Sequence, residues 1–501
     1  MQPLICVPIT ETKAETFLKA MTEAVQVADI IELRLDYLRD DELAKLLLAL
    51  PDFDAVKPLL FTFRPREQGG MRDLTLAGRL SFWRNLSNEI KALIAFADFE
   101  LDLVEHLAMQ TSPLPWEQII CSNHNFDETR ANLHEIYERI ARTPAAVVKI
   151  ATKANRIADC LPLFDVMQRG EKPVIILGMG LPGIATRILA LSRGAMLTFG
   201  ALKRGAESAS GQPTATELRE LYRVHQLTKH SEIYGVIGNP IGHSRSPLIH
   251  NAALKAVGRD AVYLPLEVDD APEFMRDFVH PKTKKLDWNL RGLSVTIPHK
   301  LSVMPHLDFI SPAAQAVGAV NTIIVKGNAL HGDNTDVIGA MKPLEELVAI
   351  KGTRAAIIGA GGAARAICYG LQQRGASVTI YARDVHKAQT LANEFKVQVA
   401  TIADFNRNAD IVINCTPVGM QGHNESTSPL NADSLHNVQL VYDLIYNPLE
   451  TQLLKDAKAA GCQTLGGMAM LLGQAAEQFR LWTGEDAPLD VMARAVRYSA
   501  R

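Results

Sequence analysis

Lys149 lies inside the apolar run Ala146-Val147-Val148-Lys149-Ile150-Ala151. An amine embedded there is costly unless it pairs or serves. Burial beside other cations favours the neutral form, the one that attacks a carbonyl. His124 closes the run Cys121-Ser122-Asn123-His124 one strand earlier. A lysine that forms a Schiff base and a neighbouring histidine can together remove a proton α to a carbonyl. Singly, Lys149 reads as a salt-bridged residue and His124 equally as a capped core imidazole or a proton carrier. Together they point to carbonyl chemistry.

A second constellation lies further on. Gly292-Leu293-Ser294-Val295-Thr296-Ile297-Pro298-His299-Lys300 and Gly332-Asp333-Asn334-Thr335-Asp336 contribute a lysine and a carboxylate. Each alone reads as a solvated charge, but a lysine held by a carboxylate can pass a proton to a carbonyl oxygen. The polar loop Gly238 to Pro247 suits a polyol or a helix cap equally. Ile357-Ile358-Gly359-Ala360-Gly361-Gly362-Ala363 follows a strand and opens a helix, the setting in which glycines let a helix N-terminus hold a pyrophosphate. The next strand ends at Ala382-Arg383-Asp384. Arg383 suits a 2′-phosphate, whereas Asp384 suits a 2′-hydroxyl or caps the following helix.

These residues need elements to hold them. Eight strand-like runs occupy the first 200 or so residues: Leu4–Ile9, Asp29–Leu35, Leu59–Arg64, Leu93–Leu101, Gln118–His124, Ala145–Ile150, Pro173–Met179 and Ala195–Leu202. Amphipathic stretches separate them, which predicts a (β/α)₈ barrel with chemistry at the strand C-terminal ends. Those ends carry Glu32, Arg34, Asp36, Arg64, Asp98, Glu100, His124, Lys149 and, past Met179, Arg187. A helical pattern around Leu218–Leu227 is expected to close the barrel, with a boundary near His230 and no Gly/Ser linker. A second α/β region has strands at Ile233–Gly238, Ala261–Leu266, Gly292–Ile297 and Thr322–Val325. A third has strands at Ala355–Ile358, Val378–Tyr381, Ile411–Asn414 and Leu440–Leu444, and a helical tail follows Gly467.

With 501 residues, several domains are required. A net charge of −3 without a basic run argues against nucleic acid and acidic membranes as partners. No long apolar stretch or signal-like segment occurs, so a cytoplasmic location is expected. The six scattered cysteines read as reduced thiols, with no metal-ligand spacing.

Ile31-Glu32-Leu33-Arg34-Leu35-Asp36, Phe61-Thr62-Phe63-Arg64, Cys121 through Phe126, Val148-Lys149-Ile150-Ala151, Met179 through Arg187, Phe199-Gly200-Ala201 and Gly211-Gln212 resemble, in order, the motifs of type I 3-dehydroquinate dehydratases. The resemblance implies that Lys149 forms the Schiff base and His124 moves the proton. It assigns Glu32, Arg34, Arg64, Arg187, Ser208 and Gln212 to substrate binding. One departure stands out: Gln68 precedes Gly69-Gly70 where the family usually has glutamate. Either the dehydratase is weakened or Glu67 takes that place after a loop shift.

From about Tyr234 to Trp482 the chain resembles shikimate dehydrogenase, through the motifs above and through Asn414 to Met420, Tyr446-Asn447-Pro448 and Gly467 to Gln474. That resemblance implies a catalytic pair, Lys300 and Asp336, and substrate contacts from Ser244, Ser246, Thr296, Asn321, Tyr446 and Gln474. It implies cofactor contacts from Gly359, Ala360, Gly361, Gly362, Ala363, Arg383, Asp384, Thr416 and Gly467. Ser294 stands where asparagine is usual, and Cys415 where alanine is usual.

The expected architecture is therefore α/β. A (β/α)₈ TIM barrel (residues 1–228) is fused to a two-domain shikimate dehydrogenase. Its substrate domain covers 229–336 and is completed by helices at about 475–501, and its Rossmann-type NADP-binding domain covers 337–474. The implied activity is dehydration of 3-dehydroquinate to 3-dehydroshikimate, then NADPH-dependent reduction to shikimate. Asp384 keeps open an NAD-preferring quinate/shikimate dehydrogenase beside a weakened dehydratase. A catalytically silent ligand sensor is the third reading, and the presence of both lysines, His124 and Asp336 opposes it.

Overall fold

The computed structural model describes residues 4–54, 56–405, 408–422 and 424–498. Eight parallel strands form the first sheet: β1 (Leu4–Ile9), β2 (Ile30–Arg34), β3 (Leu59–Thr62), β4 (Ile94–Glu100), β5 (Ile119–Asn125), β6 (Val147–Lys153), β7 (Val174–Met179) and β8 (Leu197–Phe199). Their order is β7-β6-β5-β4-β3-β2-β1-β8, and a parallel bridge from Val174 to Ala195 draws the two ends together. The result is a nearly closed barrel. β1, β2 and β7 are buried on both faces, as continuous apolar runs imply. The surrounding helices bury one stripe each; Leu133–Ala141, for example, turns Leu133, Tyr137 and Ile140 inward at i, i+4 and i+7.

The helical pattern expected over Leu218–Leu227 is shorter in the structure. A π-helical turn spans Glu217–Leu221, and Arg223 takes φ 52°, a left-handed conformation that ends it. From there Arg223 donates to the carbonyl of Ala261 across 2.7 Å, which ties the barrel's exit to the next sheet.

That sheet contains β9 (Glu232–Gly238), β10 (Ala261–Glu267), β11 (Leu290–Val295), β12 (Phe309–Ile310), β13 (Thr322–Lys326) and β14 (Ala329–Asp333), in the order β10-β9-β11-β13-β14-β12. β10 forms one edge, and the barrel segments Leu181–Gly183 and Ile184–Ile188 pack against it. Arg193 also donates to the carbonyl of Asp287 (2.8 Å), and Arg156 pairs with Glu273. One apolar cluster runs without a break from the barrel into this sheet.

The third sheet is wholly parallel: β15 (Arg354–Ile358), β16 (Ser377–Ala382), β17 (Gln398–Thr401), β18 (Ile411–Asn414), β19 (Leu440–Asp443) and β20 (Gln463–Gly466). Its order, β17-β16-β15-β18-β19-β20, reverses direction between β15 and β18, the switch point of a dinucleotide fold. Two helices connect the second and third sheets, Asp336–Glu345 and Met468–Thr483. They approach through glycines: a Cβ on Gly339 would lie 2.6 Å from the backbone nitrogen of Gln474, and one on Gly473 would lie 3.0 Å from Gly339 Cα. Asp336, at the start of one helix, and Gln474 and Gln478 of the other line one cleft. The final helix, Leu489–Tyr498, packs on helix Ser246–Ala256.

Candidate active sites

Residues of β2, β5, β6, β7 and β8 line the first cavity, with Arg64 from just past β3. Lys149 pairs across the sheet with Ser122, so His124, two residues on, projects from the same face one step nearer the rim. Both side chains reach one cavity with Glu32, Arg34, Arg64, Arg187, Phe199, Ser208 and Gln212. Lys149 is buried, its Nζ 2.6 Å from Asp98 Oδ2, 4.0 Å from Glu32 Oε1 and 4.5 Å above the Phe199 ring. The expected neighbouring cation is present, Arg64 on the same Asp98 oxygen, and two carboxylates, Asp98 and Glu32, also face the amine.

Asp98 is the hub that the sequence reading passed over as a binding residue. Its Oδ2 also accepts from Arg64 (2.5 Å). Burial alone would raise its carboxyl, but Arg64 and Lys149 hold it well below the usual carboxylate range. Glu100 lies behind, 3.6 Å from Arg64 and 2.8 Å from Arg79. Burial pushes it up to about 7 despite those cations. Arg34 is satisfied internally by a two-pronged pair with Asp36 (2.9 and 2.8 Å), and Glu32 accepts from Thr62 (2.7 Å).

Arg187 differs from the other cations. It is 1% exposed, no ion pair or hydrogen bond of its guanidinium occurs among the described residues, and burial lowers it to about 10. Gln212 accepts from the backbone N–H and hydroxyl of Ser208 (2.9 and 3.1 Å), leaving its own buried NH₂ without a partner.

His124 is held well below its ordinary value by burial, then by Arg64 and Lys149. Gln68 accepts the backbone N–H of His124 (2.9 Å), while Glu67 is exposed. The loop shift that would bring Glu67 to the histidine is absent, and the His124 Nδ1 atom stays unpaired. Phe126 lies roughly parallel to the imidazole (centroids 6.2 Å apart) and presses on Gly69, where any Cβ would overlap its ring.

The second cleft lies between the second and third sheets, lined by Ser244, Ser246, Thr296, Lys300, Asn321, Asp336, Tyr446, Gly467 and Gln474. Lys300 Nζ donates to Asp336 Oδ2 (2.5 Å), and Asn321 Nδ2 donates to Oδ1 (2.8 Å). Asn334 accepts from the backbone N–H of Asp336 (3.1 Å). Ser244 Oγ accepts from the backbone of Ser246 (3.3 Å). Gln478, one turn past Gln474, also lines the cleft and was not among the expected residues.

At the switch point, Gly359 takes φ 102°, and a Cβ there would lie 2.8 Å from Thr416 Cγ2. Gly361 and Gly362 have nothing within 4 Å of such a Cβ, so open space lies before the N-terminus of helix Gly362–Gln373. A pyrophosphate fits this cradle, with Ala360 and Ala363 on the same turn. Arg383 is exposed with no ion pair among the described residues. Asp384, by contrast, caps helix Val385–Phe395, accepting the backbone N–H of Lys387 (3.1 Å). Lys387, exposed and 3.9 Å from Asp384, is a further cation near this strand end outside the expected set. Gly467 is required by packing, since a Cβ would fall 2.1 Å from the Leu444 carbonyl oxygen.

The loops at the two clefts meet. Gly211, beside Gln212, abuts Gly180 and Leu181, and Leu181 lies against Gly242, two residues before Ser244. Among the described residues no His/Cys/Asp/Glu group is placed to hold a metal, and no helix is long and apolar enough to cross a membrane.

Comparison with known proteins follows this division. Residues 5–229 match the type I 3-dehydroquinase family, and 236–323 match the shikimate dehydrogenase substrate binding domain. Residues 342–426 match the shikimate / quinate 5-dehydrogenase family, and 467–497 the shikimate 5′-dehydrogenase C-terminal domain. The bifunctional 3-dehydroquinate dehydratase/shikimate dehydrogenase of Arabidopsis thaliana, described as chloroplastic, is 33% identical over 97% of this chain and 83% of its own length. A shikimate dehydrogenase (NADP(+)) of Haloarcula marismortui is 43% identical, covering 53% of this chain and 98% of its own. A shikimate dehydrogenase solved in complex with NADP+ superposes with TM-score 0.51 at 38% identity, over 55% of this chain and 98% of its own. The Listeria monocytogenes enzyme, solved with shikimate and NAD, gives TM-score 0.50 at 36% identity, over 54% and 98%.

Proposed function

The chain belongs to the family of bifunctional 3-dehydroquinate dehydratase/shikimate dehydrogenases, and from that membership we propose how its residues divide the work. It is a shikimate-pathway enzyme, a lyase in its first half and an NADP-dependent oxidoreductase in its second. We assign residues 1–228 to the lyase, 229–336 with about 475–501 to the substrate domain, and 337–474 to the cofactor domain.

In the barrel, Lys149 attacks the ketone of 3-dehydroquinate and the resulting imine forms with loss of water. His124 takes the α-proton; its neutral state near pH 7 suits a base. The same imidazole then protonates the departing hydroxyl, and hydrolysis frees 3-dehydroshikimate and the amine. The unpaired, buried Arg187 receives the substrate carboxylate, where a guanidinium can bind two oxygens at once. Glu32, Arg34, Arg64, Ser208 and Gln212 hold the hydroxyls. The observation that carries this reading is one cavity holding an amine, a neutral imidazole and a free guanidinium.

In the cleft, Ser244 and Ser246 take the carboxylate, and Thr296, Asn321, Tyr446 and Gln474 surround the ring. Lys300, held by Asp336, hands a proton to the carbonyl oxygen. When bound at the Gly359–Ala363 turn, beside Thr416 and Gly467, NADPH supplies the hydride. Arg383 receives the 2′-phosphate. Asp384 is committed to its helix cap, which supports NADP over NAD. The substrates are small carboxylated polyols, and we place the chain in the cytoplasm, where its six free thiols stay reduced.

A coupled assay with 3-dehydroquinate and NADPH tests the reading. Lys149→Ala should abolish dehydration but still reduce added 3-dehydroshikimate, and Lys300→Ala should do the reverse. Loss of both steps in either variant, or of neither, contradicts the division of roles.

A further inference from the structure

Gln478 is 1% exposed, yet every polar atom of its amide is engaged toward the dehydrogenase cleft. Its Oε1 accepts from Ser294 Oγ (2.7 Å), and its Nε2 donates to Thr322 Oγ1 (3.0 Å) and to the Asn321 carbonyl (3.2 Å). The chain of bonds continues in both directions. Tyr263 donates its hydroxyl to Ser294 Oγ (2.6 Å), so the Ser294 hydroxyl has only one direction in which to donate. Thr322 Oγ1, accepting from Gln478, donates in turn to Asn321 Oδ1 (2.7 Å). Together with the backbone N–H of Thr335, which donates to the same Oδ1 (2.8 Å), that bond sets the Asn321 amide with Nδ2 toward Asp336, whose other oxygen takes Lys300. A flipped Gln478 would turn the Thr322 hydroxyl away from Asn321 and leave its Oδ1 to the Thr335 backbone, weakening the hold on the amide.

We propose that Gln478 is a positioning residue for reduction: through Thr322 it orients Asn321, and Asn321 holds Asp336 where it steadies Lys300. The inference rests on the roles given above to Lys300 and Asp336. It also accounts for the departure at position 294. Ser294 and Thr322 are direct cross-strand partners, so an asparagine at 294, usual in the family this half resembles, would set its own amide against Thr322. Here the strand residue is one amide short, and the helix supplies the amide from the other side.

The test uses the full-length enzyme and four variants: Gln478→Ala, Gln478→Met, Ser294→Asn with Gln478→Ala, and Lys300→Ala. Both single Gln478 variants should lose about tenfold in kcat for 3-dehydroshikimate reduction, the effect of losing a buried hydrogen bond near the reacting groups. KM for NADPH should change less than about twofold, and dehydration should be untouched. The double variant should recover most of the lost rate, since asparagine restores the amide opposite Thr322. Wild-type kcat in Gln478→Met, or no recovery in the double variant, overturns the assignment. If Gln478→Ala does not fold, Gln478→Met, which keeps the volume, decides alone. A wild-type rate in Lys300→Ala overturns the underlying proton-transfer reading instead and is distinguishable from both.

Discussion

Lys149 Nζ donates to Asp98 Oδ2 across 2.6 Å, and Arg64 donates to that same oxygen, so one buried carboxylate balances two buried cations. Truncating one partner of such a group leaves charge uncompensated. Asp98→Asn should therefore weaken the barrel by about 3 kcal/mol and cut dehydration sharply, with reduction unaffected. Denaturation followed by signals from the barrel, alongside both assays, checks this. Unchanged barrel stability would show that Asp98 does not bear the load assigned to it.

Gln68 holds the His124 backbone while the ring's Nδ1 stays unpaired. A carboxylate at 68 places negative charge beside an imidazole now held low by burial, Arg64 and Lys149. Opposite charge favours the protonated ring, so Gln68→Glu should move the acid limb of the dehydratase kcat/KM profile to higher pH, by about one unit. An unmoved limb in a folded variant would remove Gln68 from any account of the base.

Arg187 pays for its function in stability, because its guanidinium is buried with no counter-charge among the described residues. Arg187→Met should lower kcat/KM for 3-dehydroquinate by about a hundredfold or more, mostly through KM, yet raise the barrel's unfolding midpoint. A drop in that midpoint would mean that the guanidinium has a structural partner.

Arg383 and Asp384 are neighbours with different tasks. Arg383→Ala should raise KM for NADPH about tenfold and leave KM for NADH nearly unchanged. Asp384→Ala should cost about 1 kcal/mol of stability through the lost cap without altering the NADPH-to-NADH preference. A preference that follows Asp384 would restore the NAD reading.

His250 is buried, stacked 4.4 Å from the Tyr263 ring, and burial lowers it to about 3. The unfolded chain protonates this residue near pH 6.5, so between pH 6.5 and 3 the unfolded state binds the extra proton. Stability contributed by the neutral ring is full above pH 6.5 and falls as pH drops, by about 1.4 kcal/mol per unit at most. His250→Phe should flatten that part of the stability curve. The same slope in the variant would assign the acid sensitivity elsewhere.

Most of the barrel is legible in the sequence because strands covered on both faces write themselves as unbroken apolar runs. β12, β14, β17 and β20 are not. β12 is two residues long, β14 reads Ala-Leu-His-Gly-Asp, and β17 and β20 are half-exposed edges without an apolar run. At the sites, charges embedded in apolar strands stand out, which is why Lys149, Glu32 and Arg34 are found. What they pair with depends on how a barrel closes, so the Asp98 contact lies beyond a linear reading. Gln478 is hidden differently: within Gln474-Ala475-Ala476-Glu477-Gln478 it looks like surface, and only its i+4 spacing from Gln474 hints that it turns inward.

The barrel segment Leu181–Ile188 lies along β10, the edge strand of the second sheet. An uncovered edge carries a row of idle N–H and C=O groups that invite another chain to pair. Cutting the polypeptide near His230 would therefore do more than separate two catalysts. The released dehydrogenase would expose that margin to solvent and should self-associate, which sedimentation at increasing concentration would show. Fusion here therefore also closes an edge, the first enzyme's chain shielding a strand of the second.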